Sequence, residues 1–142
     1  MTGARAPDRR PRREPAVGDN GGMDPVWHDD VERELGRVAD RLRVIGPRME
    51  GRGTGPHGAG DPGREAGAVL ESARAAVQRL ADLAADTEGL PRRTVERLPG
   101  HALADQVLVL GHDLLAAAPA DERGREPLEA GHALLVDLRR SL

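Results

Sequence analysis

The amino-acid sequence predicts an all-α protein, an antiparallel up-down four-helix bundle that follows a disordered N-terminal leader. Four segments repeat apolar residues at the 3.6-residue period of an α-helix, and no segment alternates apolar and polar residues as a strand does. The chain has 142 residues with one Trp and no Phe or Tyr, so its core must consist of Leu, Val and Ala. We expect a single domain over residues 23–142.

The leader, residues 1–22, is rich in Arg, Pro and Gly and contains one valine. Such a segment cannot bury enough apolar area to offset the entropy of ordering, so we expect it to be disordered. Met23 is an alternative start, since the first helix follows it directly. The net charge of −3 does not favour a nucleic-acid partner, although a basic arm is the other interpretation of the leader.

Helix 1 is expected over about residues 24–45. Apolar residues recur there at spacings of three and four: Trp27, Val31, Leu35, Val38, Leu42 and Ile45. The remaining positions predict a solvent face of mixed charge: Asp29, Asp30, Glu32, Arg33, Glu34, Arg37, Arg41 and Arg43. Gly46 and Pro47 predict the end of this helix, and the Gly/Pro-rich segment 46–63 predicts a long flexible loop.

Helix 2 is expected over about residues 64–88. Gly89 suits the left-handed position after a helix, and Pro91 blocks its continuation. Residues 91–99 then form a basic connector with at most one helical turn. Two further helices are expected over about 100–118 and 126–141.

Helix 3 is the most apolar of the four, with a seam that includes Leu103, Val107 and Leu114. Leu108 and Leu115 lie about 70–90° from the centre of this seam, at 100° per residue. A bundle helix buries a stripe only a little wider than 100°, so we expect these two leucines to remain partly exposed. An exposed aliphatic ridge predicts a contact surface for a homodimer or another protein partner.

The composition excludes several chemistries. Without Cys or Lys there is no thiolate nucleophile, disulfide, cysteine-ligated zinc site or Schiff-base lysine. The leader lacks the apolar region of a secretory signal, and no apolar run is long enough to span a membrane. We therefore expect a soluble cytoplasmic protein that needs no cofactor and is not an enzyme.

One metal or small-molecule site is a candidate. Glu129 and His132 have the Glu-x-x-His spacing of di-iron bundles, but a single copy excludes the di-iron centre itself. In an antiparallel hairpin His112 on helix 3 would lie at the level of His132. A small polar site at His112, Asp113, Glu129 and His132 is therefore geometrically possible, but the favoured interpretation is two histidines that flank solvent.

Two histidine contexts resemble phosphorelay proteins. His112-Asp113-Leu114 resembles the start of the histidine-kinase H-box, and His101-Ala102-Leu103 resembles the opening of the phosphotransfer-domain motif. The residues that follow depart from both motifs, so a His phosphotransfer protein is kept as a third alternative. Over residues 23–142 the chain also resembles small helical proteins of GC-rich bacteria, through ADQVLVLGHDLLAA at 104–117 and the Trp27 opening. That resemblance implies a helical fold and no particular activity.

The function predicted from the sequence is therefore that of a non-enzymatic helical interaction or regulatory protein. The alternative is a bundle that binds a metal ion or a small molecule.

Overall fold

The protein folds as a bundle of four α-helices, as the sequence predicts. In the computed structural model residues 25–50 and 62–142 are described, and these ranges contain no β-strand. The helices are α1 (Pro25–Glu50), α2 (Pro62–Glu88), α3 (Leu103–Ala117) and α4 (Arg125–Ser141). Short 3-10 turns precede α3 and α4. The predicted leader, 1–22, and the middle of the predicted loop lie outside the described residues.

One apolar core joins all four helices. Its largest fully buried side chains are Leu35, Leu42, Leu80, Leu103, Leu114, Leu128, Leu135, Val31, Val38 and Val107. Trp27, the one aromatic side chain, packs against the edge of this core. The stripe predicted for helix 1 is therefore the buried face of α1, although Ile45 is only half-buried.

The predicted end of helix 1 is wrong, because α1 continues through Gly46 and Pro47 to Glu50. Pro47 costs only one helical hydrogen bond there, near the end of the helix. Gly46 packs against the backbone before α3, where a Cβ would lie 2.7 Å from the Gly100 carbonyl oxygen. This tertiary contact holds the helical backbone at a position where local preference favours a stop. The predicted loop 46–63 is thus helical at both of its ends.

The end of α2 follows the sequence prediction. Gly89 has φ +69°, the left-handed conformation that glycine adopts without strain. The N–H of Leu90 donates to the Ala85 carbonyl at 2.8 Å, and that of Gly89 donates to Asp86 at 3.2 Å. These are the two bonds of a Schellman motif, which turns the chain back toward the start of α2.

The directions of the helices follow from which residues meet. The side chain of Leu35 in α1 lies against Gly111 in α3, and Gly46 lies against Gly100, so α1 and α3 are antiparallel. Trp27 contacts His132, and further along both helices Glu34 pairs with Arg139. The helices α1 and α4 are therefore parallel.

The helices α2 and α3 also run in the same direction. Residues 71–78 of α2 share a groove with Gln106, whereas residues 81–88 share one with Leu110 and Ala116. The predicted alternation of direction is therefore wrong between these two helices. Its cause is the segment 90–99, which is extended rather than helical and returns along the length of α2 before α3 begins. We call this segment the return connector.

In cross-section, the most extensive contacts join α3 to α1 and α2, and α4 to α1 and α2. The helices α3 and α4 touch much less, as do α1 and α2. The helices α1 and α2 therefore occupy opposite corners of the bundle, as do α3 and α4, whereas α2 and α3 are adjacent. This arrangement decides which of the predicted site residues can meet.

Candidate functional site

The predicted polar site on helices 3 and 4 is not assembled as a cluster. Within the described part of the chain, the one group of three His, Asp or Glu side chains with ligand atoms within 4.8 Å of one another is His28, Asp29 and Glu32. His112 is exposed on α3. The structure therefore does not bring His112, Glu129 and His132 together, and metal binding through them stays a prediction.

The reason is the diagonal placement of α3 and α4. His112 and His132 lie at the same level along the bundle, as expected, since Leu114 of α3 lies against Gly131 of α4. The two helices meet there through the core, however, and their polar faces point away from each other. Glu129 pairs with Arg125 at 2.6 Å. His132 instead lies beside Trp27, with ring centroids 6.1 Å apart and an interplanar angle of 75°.

The ridge predicted at Leu108 and Leu115 is exposed only in part. Leu115 is buried in the core, and Leu108 is half-buried against it. The helix α3 is packed by both α1 and α2, so its buried arc is wider than a single stripe. The large apolar side chain that α3 exposes to solvent is Val109. The sequence carries no clear signal for it, because Val109 stands within the run of four aliphatic residues Val107–Leu110.

Val109 belongs to a longer apolar surface along the return connector. A groove of about 550 Å³ contains Leu90, Val95 and Leu110, and a second of about 410 Å³ contains Val95, Leu98, Val109 and Leu110. Because Val95 and Leu110 line both grooves, the two form one continuous surface. We call these five residues the connector surface: Leu90, Val95, Leu98, Val109 and Leu110.

Polar side chains hold the return connector in place. Gln78 of α2 accepts from the Val95 N–H at 2.8 Å and donates to the Arg93 carbonyl at 2.9 Å. Gln106 of α3 donates to the Glu96 carbonyl at 2.8 Å. An extended segment outside a sheet leaves its backbone groups unpaired, and these two glutamines, one from each flanking helix, satisfy part of that requirement.

Ion pairs join both ends of the same segment to α2. Arg92 makes two hydrogen bonds to the Asp86 carboxylate, at 2.9 and 2.6 Å, and Arg97 pairs with Glu71. The Arg92 guanidinium holds the pKa of the exposed Asp86 below its usual range. The connector therefore lies along α2 from Asp86 back to Glu71.

Glu34 is a buried charge, contrary to its prediction as part of the solvent face of helix 1. Only 2% of the residue is exposed. Its carboxylate accepts from Arg37 at 3.1 Å and from Arg139 of α4. Burial by itself raises the pKa of Glu34, but the hydrogen bonds and charges of the two arginines outweigh it and hold the pKa below its ordinary value. Glu34 is thus a structural ion-pair residue between α1 and α4.

The fold defines an all-α bundle in which an extended connector lies between two parallel helices. Comparison of the chain with protein-family models, with curated proteins and with solved structures finds no match. The resemblance to helical proteins of GC-rich bacteria accordingly stays a prediction. Among the residues that the structure describes, no helix is both long and apolar enough to cross a membrane.

Proposed function

We propose that this protein is a non-enzymatic interaction protein that associates with a second copy of itself through the connector surface. The observation that carries the proposal is the continuous apolar surface from Leu90 to Val109. Leu90 and Val109 are each more than half exposed, and the half-buried Val95, Leu98 and Leu110 connect them. A contiguous apolar patch with a polar rim is typical of a protein–protein contact. A cytoplasmic location belongs to the same proposal.

The mixed charges around this surface are compatible with a second copy as the partner. Its rim carries Arg93 together with the acidic Glu88, Asp105 and Asp113. A two-fold interface brings a patch against the same patch rotated, so a rim that carries both signs can be complementary to itself. A rim of one sign would instead repel its own copy and favour a partner of the opposite charge.

Covering the connector surface would also offset a weakness of the monomer. The core lacks Phe and Tyr and contains several alanines, each of which buries less apolar area than a leucine. Burial of apolar area stabilises by about 25 cal/mol per Å². An interface over this surface would therefore add apolar burial at the edge where α2 and α3 are joined through the connector.

The test compares two equally exposed valines. Val109 is 59% exposed on the connector surface, and Val44 is 58% exposed on α1, away from it. We expect the wild type to sediment as a dimer at tens of micromolar. Val109→Asp places a charge in the apolar interface and should weaken the dimer at least about tenfold. Val44→Asp should leave it unchanged.

Circular dichroism of both variants should match the wild type, since neither side chain is in the core. A wild type that remains monomeric at hundreds of micromolar would overturn self-association. Equal weakening by Val44→Asp and Val109→Asp would show that the connector surface is not the interface.

A further inference from the structure

Among the acidic residues of α1 whose side chains the structure describes, all but two follow a pairing rule. Three of its carboxylates each pair with the arginine three residues further on: Asp30 with Arg33 at 2.8 Å, Glu34 with Arg37 at 3.1 Å and Asp40 with Arg43 at 3.2 Å. Asp29 and Glu32 make no ion pair with any described residue. Three residues after Asp29 stands Glu32 itself, and three after Glu32 stands Leu35.

These two carboxylates lie beside an imidazole. His28 precedes Glu32 by one helical turn, and ligand atoms of His28, Asp29 and Glu32 all lie within 4.8 Å of one another. Two negative charges at this separation repel each other when no cation lies between them. The adjacent Trp27 packs against the core, so the backbone that carries His28 is anchored.

We propose that His28, Asp29 and Glu32 bind a divalent first-row transition-metal ion of the Zn²⁺ type. Such ions bind imidazole nitrogen and carboxylate oxygen at about 2.0–2.2 Å. The bound ligand atoms would then lie roughly 3–3.5 Å apart, which the exposed Asp29 and Glu32 reach toward the half-buried His28 from within 4.8 Å by small rotamer changes. The imidazole nitrogen favours Zn²⁺, Co²⁺ or Ni²⁺ over Mg²⁺ and Ca²⁺, which prefer oxygen ligands throughout.

The proposed metal site would have an open coordination position. Three protein ligands leave at least one coordination position for water or for a ligand from another molecule. The site lies on the first turns of α1 and shares no residue with the connector surface. Its test is therefore independent of whether the protein forms a dimer.

Trp27 supplies the readout, because it is the only tryptophan in the chain and adjoins His28. The full chain, without a histidine tag, is titrated with Co²⁺ while Trp27 fluorescence is recorded, and with Zn²⁺ by calorimetry. We expect saturable quenching by Co²⁺, competition by Zn²⁺, and one ion bound per chain. Mg²⁺ at the same concentration should not compete.

His28→Ala should weaken the binding at least about tenfold, because loss of even an outer-shell partner of a metal ligand costs about that much. Asp29→Asn combined with Glu32→Gln keeps the side-chain shapes and should weaken it equally. His112→Ala removes an exposed histidine outside the cluster and should change nothing.

His132→Ala is the critical control, because His132 also contacts Trp27. It should leave the Zn²⁺ affinity measured by calorimetry unchanged. Quenching that does not saturate, or that is the same in the wild type and His28→Ala, would overturn the proposal. Loss of Zn²⁺ binding in His132→Ala with retention in His28→Ala would overturn it as well and place the ion on α4.

Discussion

Two edges of the bundle join parallel helices, and they are closed in different ways. At the α1–α4 edge the helices pack directly, with Trp27 against His132 and the buried Glu34 bonded to Arg139. At the α2–α3 edge the return connector lies along both helices, and side chains such as Gln78 and Gln106 bond to its backbone.

The difference shows which hydrogen-bond and charge partners each kind of edge requires. Side chains that close an edge directly can bury a charge, and that charge then needs hydrogen bonds and an opposite charge from the neighbouring helix. An extended segment that closes an edge brings backbone N–H and C=O groups, which need polar side chains as partners. The second edge also leaves apolar side chains of the connector half in solvent, and these form the connector surface.

The largest effect is expected at the α1–α4 edge. Glu34→Ala removes a buried carboxylate and leaves Arg139 and Arg37 without their acceptor. Breaking a fully buried ion pair costs about 3–5 kcal/mol. The side chain of Arg139 is 36% exposed and can be rehydrated, so we expect a loss of about 2–3 kcal/mol in the free energy of unfolding. Urea denaturation followed by Trp27 fluorescence measures it.

Glu34→Gln removes the negative charge at the same position and keeps the shape of the side chain. The pKa of Glu34 is lowered in the folded protein, so its charge stabilises the fold above the ordinary Glu pKa. That contribution is lost as the pH falls through the lower, folded-state pKa. The wild type should therefore lose more stability than Glu34→Gln between neutral pH and acid. Parallel pH profiles of the two proteins would mean that the charge contributes nothing.

A smaller effect is expected at the α2–α3 edge. Gln78→Ala leaves the half-buried Val95 N–H and the Arg93 carbonyl without their partner. Loss of a partner for a buried polar group costs about 1–3 kcal/mol, and the Arg93 carbonyl is accessible to water, so we expect about 1–2 kcal/mol. Trypsin should also cleave faster after Arg93, since the connector opens locally.

Gln106→Ala is the matched control for this variant. It removes a single bond, to the exposed Glu96 carbonyl, which water can replace. Its effect on cleavage should be smaller. If Gln106→Ala exposes the connector as much as Gln78→Ala does, the two helices hold it equally. The hydrogen bond of the Val95 N–H would then contribute no more to holding the connector than the bond to the Glu96 carbonyl.

The smallest effect is expected for the ion pair at the start of the connector. Asp86 and Arg92 are both exposed, and exposed pairs contribute little because water and salt screen them. Asp86→Asn should leave the midpoint of urea denaturation within error. Any small difference from the wild type should vanish at high salt. Rapid tryptic cleavage of the connector in this variant would show instead that the pair anchors it.

Local patterns predicted much of the fold. The apolar stripe of helix 1 became the buried face of α1, and Gly89 ended α2 in the conformation expected of it. The same method failed within Val107–Leu110, since four consecutive aliphatic residues do not reveal which one faces solvent. It also failed at Glu34, because a carboxylate among other charged residues has no local mark that it will meet an arginine of α4.

The number of helices and their core-facing residues were encoded locally, because helical periodicity and end signals act within a few turns of the chain. The direction of α3, the burial of Leu115 and the exposure of Val109 depend instead on which elements cover each side of that helix. So does the separation of His112 from His132, which share a level but lie on opposite corners of the bundle. Those outcomes were decided by tertiary packing, because a contact between two residues that are distant in sequence leaves no periodic pattern in the sequence around either residue.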